Sequence, residues 1–193
     1  MNPYVNDAPA FNQRLLRLLR QLTSLGSLLI LLSACQVREQ ERCVLLDADF
    51  EQFEAWGAPI PPFLTKEQAH SGHYSFRLPQ GAEYGGNYVT TLGKCATVPR
   101  RLRLSGWVYL PNGRIRSTVL VVQVLCHGRR PDVWEGLELS EKVKRYQTWE
   151  SVEKYIRLPE DLNASDELKV YVWHADPNGE IILFDDLKVE GWQ

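Results

Sequence analysis

The sequence predicts an all-β fold, two antiparallel sheets packed as a sandwich, on three observations. After Cys43 the apolar residues return at every second position, turn-forming clusters punctuate them at short intervals, and no helix-length run of period 3.6 appears. A period of two belongs to a strand with one buried face. Short strands separated by frequent turns connect as antiparallel layers.

The segments follow in order. In residues 101–110, Leu102, Leu104, Val108 and Leu110 share one face, while Arg103, Ser105, Trp107 and Tyr109 share the other. Residues 118–126 are apolar on both faces, which predicts a central strand. Val152, Ile156 and Leu158 alternate with Ser151, Glu153, Tyr155 and Arg157; Leu168, Val170 and Val172 alternate with Lys169, Tyr171 and Trp173. Ile181, Leu183, Leu187 and Val189 are placed on one face together with Asp185. Turn signals stand at Gly85-Gly86, Pro111-Asn112-Gly113, residues 128–131, Pro159-Glu160-Asp161 and Asp176-Pro177-Asn178-Gly179. Residues 159–165 leave room for one short helical turn.

Ahead of this domain, Arg14, Arg17 and Arg20 precede an apolar stretch from about Leu22 to Leu32, followed by Ser33, Ala34 and Cys35. A basic start, a short apolar core and small residues before a cut make a secretory signal. The core is shorter than the roughly 20 residues that span a hydrocarbon layer, and Thr23, Ser24, Gly26 and Ser27 dilute it. This argues against a transmembrane anchor. An amphipathic helix is disfavoured because the arginine face does not continue after Arg20. Leu32-Ser33-Ala34-Cys35 resembles the lipobox of bacterial lipoproteins, which implies cleavage before Cys35 and its acylation. The expected organisation is a signal peptide over 1–34, a lipidated cysteine and polar spacer over 35–42, and one domain over 43–193. The resemblance implies attachment to a membrane through the N-terminal lipid, in the bacterial cell envelope. Gln36, in place of the aspartate linked to inner-membrane retention in some bacteria, points to the outer membrane.

Removing three arginines and one aspartate with residues 1–34 takes the formal charge from −2 to −2 − (3 − 1) = −4. No lysine- or arginine-rich run remains in the sequence, so nucleic acid is not an expected partner. With Cys35 acylated, Cys43, Cys95 and Cys126 are left. Export permits one disulfide among them, and the sequence leaves the pairing open.

A second resemblance is carried by Asp49-Phe50-Glu51 with Trp56, the stretch 69–78 (AHSGHYSFRL), Leu104-Ser105-Gly106-Trp107-Val108-Tyr109, Trp149 with Val152, and Ile182-Leu183-Phe184-Asp185-Asp186-Leu187. In this order they resemble the jelly-roll sandwich of carbohydrate-binding modules, the galactose-binding-like fold. The resemblance implies that the first and last strands lie together. It also implies a structural Ca2+ held by Glu51, by a carbonyl of His70 or Gly72, and by Asp185. Hard cations take such oxygen ligands. The alternative is that these carboxylates are solvated, or paired with Lys66 or Arg77.

The implied partner is a polysaccharide or other glycan. Sugars present apolar C–H faces beside hydroxyls, so their sites need flat aromatic surfaces and nearby polar side chains. The candidates are Trp173, Tyr171, Trp134, Tyr109, Gln123 and Arg103, which line one sheet where their strands adjoin. Trp107 and Trp149 are expected to pack under loops, and Trp56 and Trp192 at edges. Catalysis finds less support. Glu135 and Glu138 differ by an odd number and face opposite ways on a strand, against a glycosidase pair. His70 and His73 lack a third metal ligand, and there is no phosphate loop or GxSxG elbow. The expectation is a non-catalytic binding module, with a structural or protein-interaction lipoprotein as the alternative and a glycan-cleaving enzyme behind both.

Overall fold

The structure is a computed structural model that describes residues 42–52, 60–115, 117–175 and 180–193. The expected signal peptide, Cys35 and nearly all of the spacer lie outside the described residues, as do Trp56 and the turn at 176–179.

The described residues form ten strands: β1 (Cys43–Ala48), β2 (Leu64–Thr65), β3 (Ser75–Arg77), β4 (Tyr84–Thr91), β5 (Arg101–Tyr109), β6 (Thr118–Leu125), β7 (Val133–Glu138), β8 (Trp149–Arg157), β9 (Glu167–His174) and β10 (Leu183–Trp192). A six-stranded sheet runs β2-β3-β10-β5-β8, with β1 also on β10; a four-stranded sheet runs β4-β9-β6-β7. Every pairing is antiparallel. The fold is therefore the predicted two-sheet antiparallel sandwich. One edge of β10 takes β5 along its length, and the other takes β3 at Leu183 and Phe184 and β1 from Leu187 to Gly191. The first and last strands thus lie together. As expected from its apolar composition, β6 is central, between β9 and β7.

The core is built as alternation dictates. Leu102, Leu104 and Val108 of β5, Leu120, Val122 and Val124 of β6, and Leu168, Val170 and Val172 of β9 are buried in one cluster with Phe184 and Val189. Three readings of the sequence need correction. On β10, Phe184 rather than Leu183 joins the core cluster, and Leu187 and Val189 follow it. A register shift between Asp185 and Lys188, with Asp186 at φ 47°, inserts an extra residue and reverses the parity halfway along the strand. Leu183 and Asp185 therefore face outward beside Trp107, not inward with Leu187. The second correction concerns Gly85-Gly86, which is no inter-strand turn. It lies within β4, where the register shifts between Gly85 and Tyr88 and Gly86 adopts φ 63°. The short helix falls at Leu139–Lys142 (α1), not at 159–165.

The loops at one end are braced by an ion pair between the exposed Arg129 and the buried Asp166 carboxylate. Arg129 donates to both oxygens of Asp166 at 2.6 and 2.5 Å, the Asn163 N–H donates to Asp166 Oδ2 at 2.7 Å, and Arg129 also reaches the Asp161 carbonyl at 2.8 Å. Burial pushes the Asp166 carboxyl up, but the hydrogen bonds from Arg129 and Asn163 outweigh it and hold the group below its ordinary value. A carboxylate with a depressed native pKa stabilises the fold above its unfolded value, about 3.9. That stability is lost as pH falls through the native value. Arg129→Gln leaves a buried carboxylate short of its strongest donor. It is expected to lower stability near neutral pH, and less so as acid protonates Asp166. Thermal melts of both proteins at descending pH check this: the gap in melting temperature should narrow in acid.

Candidate functional site

The outer face of the four-stranded sheet gathers four of the six candidate ligand residues. β9 contributes Tyr171 and Trp173, which alternate with the core residues Val170 and Val172. β6 contributes Gln123, opposite Trp134 of β7. A chain of hydrogen bonds ties three of them: the Trp134 indole N–H donates to Tyr171 Oη at 3.2 Å, and the Tyr171 hydroxyl donates to Gln123 Oε1 at 3.3 Å. The Trp134 and Trp173 rings meet edge to face at 6.4 Å.

Gly136 determines how the Trp134 ring lies. A Cβ on Gly136 would stand 2.7 Å from Cη2 of Trp134 and 2.5 Å from Cγ1 of Val119. The indole is thus folded along the strand over a residue without a side chain. Val121 pairs with Gly136 on one side and Tyr171 on the other and has no exposed surface, although it faces outward. Trp134 nonetheless stays 48 % exposed, so one side of the sheet-hugging ring is open to solvent.

The sequence reading missed two members of this face. Tyr84, 59 % exposed, pairs with Trp173 across β4 and β9 and lies 6.2 Å from the Tyr171 ring. Glu83 accepts from the Trp173 indole N–H at 3.3 Å. Burial and the neighbouring Glu83 carboxylate raise the Tyr84 hydroxyl above its ordinary pKa, so it remains a neutral donor. Both residues adjoin Gly85-Gly86; a strand running through those glycines would have shown that Tyr84 faces outward. Lys169, opposite Gln123, completes the polar surround. The face therefore offers ring surfaces flanked by an amide, a carboxylate, a phenol and an ammonium group, a set able to stack on an apolar plate and hydrogen-bond its rim.

Arg103 and Tyr109 are not part of it. Both lie on β5, in the other sheet. Arg103 is held by Glu153 at 3.0 Å and Glu190 at 3.3 Å. Tyr109 packs 5.8 Å from Trp149 and accepts from Gln68 at 3.4 Å. Trp107 stacks on His70 at 3.7 Å under the segment that joins β2 to β3. Glu135 turns away from the aromatic face and pairs with Lys154 of β8 at 2.8 Å.

The four residues expected to hold calcium do meet at one turn, but as hydrogen-bonding partners. Glu51 Oε1 accepts from the backbone N–H groups of His73 and Tyr74, both at 2.8 Å. Asp185, fully buried, takes the N–H groups of His70 at 2.7 Å and Ser71 at 3.1 Å on Oδ2, and that of Asp186 at 2.8 Å on Oδ1. Burial raises its carboxyl above the ordinary range, against the pull of these donors. Gly72 sits at φ 56° with the Glu51 carboxyl 2.4 Å from where its Cβ would be, so the turn closes directly on Glu51. His70 Nδ1 lies 2.6 Å from Asp186 Oδ2, and the Ser71 hydroxyl donates to Asp186 Oδ1 at 2.7 Å. Among the described residues no three His, Cys, Asp or Glu side chains come together to hold a metal ion. These contacts make the turn a hydrogen-bonded clasp. A clasp closed by these hydrogen bonds alone is expected to keep its melting temperature on chelation with EDTA; a fall of several degrees, restored by added calcium, would show that the turn holds the cation.

An apolar cavity of about 640 Å³ adjoins the face, lined among others by Leu46, Phe50, Phe76, Tyr88, Val170 and Leu187. Its walls offer little to a hydroxylated ligand.

No family model matches the chain, and no curated protein matches it. Solved structures do. The N-terminal CBM22-1–CBM22-2 tandem of Xyn10C from Paenibacillus barcinonensis is similar at a TM-score of 0.52 and 15 % identity, over 81 % of this chain and 47 % of that one. The chain thus spans about half of that tandem. A family 16 carbohydrate-binding module is similar at a TM-score of 0.48 and 17 % identity, over 69 % of this chain and 86 % of that one. A xylan-binding domain of carbohydrate-binding family 22 follows at 0.46 and 14 %, over 67 % and 80 %. The likeness to the tandem, at 15 % identity and a TM-score of 0.52, shows the β-sandwich fold alone.

Proposed function

We propose that this protein is an envelope-anchored lipoprotein whose sandwich serves as a non-catalytic carbohydrate-binding module, with the glycan lying on the outer face of the four-stranded sheet. The observation that carries the reading is the half-exposed Trp134 ring laid over Gly136 beside Trp173, Tyr171 and Tyr84. A core-forming tryptophan hides both faces; this one presents a flat apolar plate framed by Gln123, Glu83 and Lys169. A pyranose ring stacks its C–H face on such a plate and spends its hydroxyls on the frame. Fold likeness alone does not carry function; the composition and exposure of this face support the reading. The anchoring half rests on the residues around Cys35.

Affinity electrophoresis of the full chain through gels containing plant and bacterial polysaccharides, followed by a glycan array, tests it. Retardation by at least one polysaccharide without release of reducing sugar is the expected result. A folded protein that no glycan retards would shift the reading to a structural or protein-interaction lipoprotein, and released sugar would point to an enzyme.

A further inference from the structure

At one end of the six-stranded sheet a row of four side chains faces outward. Arg42 precedes β1, Trp192 ends β10, Arg101 begins β5 and Arg157 ends β8. Register sets Trp192 opposite Arg101 and Arg101 opposite Arg157. The Arg42 guanidinium lies over the Trp192 ring at 5.9 Å. Arg101 and Arg157 alternate with the buried Leu102 and Ile156, so they point to solvent, and all three arginines are exposed. Tyr155, 61 % exposed, adds its ring 6.1 Å from that of Trp192.

Among the described residues the charges of this row are unbalanced, unlike those next to it. One row further in, Arg103 is bound by Glu153 and Glu190, and Lys188 by Asp47. Among the described residues no carboxylate forms a salt bridge with Arg42, Arg101 or Arg157. Like charges set directly opposite on paired strands oppose the pairing, and Arg101–Arg157 is such a pair. A bound anionic surface would relieve that repulsion. The patch also runs against the net charge of −4 = −2 − (3 − 1) left after residues 1–34 are removed.

Position and composition indicate which anionic surface. Six residues lie between Cys35 and Arg42, and the seven steps of chain reach at most about 25 Å. Tryptophan and tyrosine beside arginine are side chains suited to the interface between headgroups and hydrocarbon. Each arginine held near an anionic leaflet strengthens binding about fivefold. We propose that the Arg42, Trp192, Arg101 and Arg157 row docks this end of the domain onto a membrane surface rich in anionic phospholipid headgroups. The proposal draws on the anchoring read from the sequence. Docking there leaves the outer face of the four-stranded sheet uncovered.

The test is hydroxyl-radical footprinting of the full chain on phosphatidylcholine vesicles and on mixed phosphatidylcholine–phosphatidylglycerol vesicles, read peptide by peptide by mass spectrometry. Trp192 and Tyr155 should oxidise several-fold more slowly on the mixed vesicles. The difference should vanish at high salt and in the Arg101→Gln, Arg157→Gln double variant, whose melting temperature should be no lower than that of the parent. Equal oxidation on both vesicles, or a chain that sediments with neither, overturns the proposal. So does equal protection by dextran sulfate in solution, which would assign the row to an acidic polymer. A chain with an unacylated Cys35 that still binds mixed vesicles alone would refute the anchor and leave the docking row standing. Glycan binding does not enter, because Trp134 lies in the other sheet.

Discussion

Replacing Trp134 by alanine is expected to weaken polysaccharide binding about thirtyfold or more, the loss of roughly 2 kcal/mol that marks removal of a central aromatic anchor. The ring is 48 % exposed and about half buried, so some fall in melting temperature accompanies the change, and binding is compared well below the variant's transition. The same substitution also removes the N–H that orients Tyr171, so part of the loss belongs to a neighbour. Gly136→Ala separates platform geometry from composition. It keeps every aromatic residue but puts a methyl carbon 2.7 Å from the Trp134 ring and 2.5 Å from Val119. The rigid indole must lift from the sheet, and binding should fall in the same direction with all donors and acceptors present. Affinity electrophoresis of parent, W134A, G136A and an Arg103→Gln control checks this. Arg103→Gln, on the other sheet, should bind as the parent does. If W134A binds like the parent while Arg103→Gln does not, the site belongs on the six-stranded sheet.

That control reflects where the sequence stops being informative. Alternation along a strand is a local property, so the inward faces of β5, β8 and β9 could be read from Leu102, Val152 and Leu168 and their neighbours. Parity likewise showed that Tyr109 and Arg103 point away from the aliphatic core, as Tyr171 and Trp173 do. It could not show that the two pairs lie on opposite faces of the molecule, because sheet membership depends on strand pairing at long range. β10 was misread for a different reason: a single extra residue at Asp186 reverses every side chain beyond it. The same kind of irregularity hid Tyr84, since glycines at positions 85 and 86 signal a turn as readily as a bulge. The convergence of Glu51, Gly72 and Asp185 on one turn was legible from the family resemblance. What they do there was not, because a carboxylate that would ligate a cation and one that accepts backbone N–H groups look the same in sequence.

The Cys43–Cys95 disulfide settles the pairing that the sequence left open, and leaves Cys126 buried as the free thiol among the described residues. It ties the first residue of β1 to the turn after β4, strands that belong to different sheets, across 52 positions of chain. Closing a loop of that length in the unfolded chain is expected to stabilise the fold by about 4 kcal/mol. For a domain of this size that corresponds to a melting temperature lowered by about 8–16 °C when the bridge is removed. The Cys43→Ser, Cys95→Ser double variant should show that fall in differential scanning calorimetry. A reductant should lower the parent towards the same value and leave the variant unmoved. Cys126→Ala gives the contrast. Burial raises its thiol above the ordinary pKa, keeping it protonated and a poor nucleophile for disulfide exchange. Its removal should cost only the packing of one small side chain and leave the response to reductant intact. If Cys126→Ala, rather than the double variant, abolished the reductant effect, the bridge would have to involve Cys126. The pairing of β1 with the turn after β4 would then be wrong.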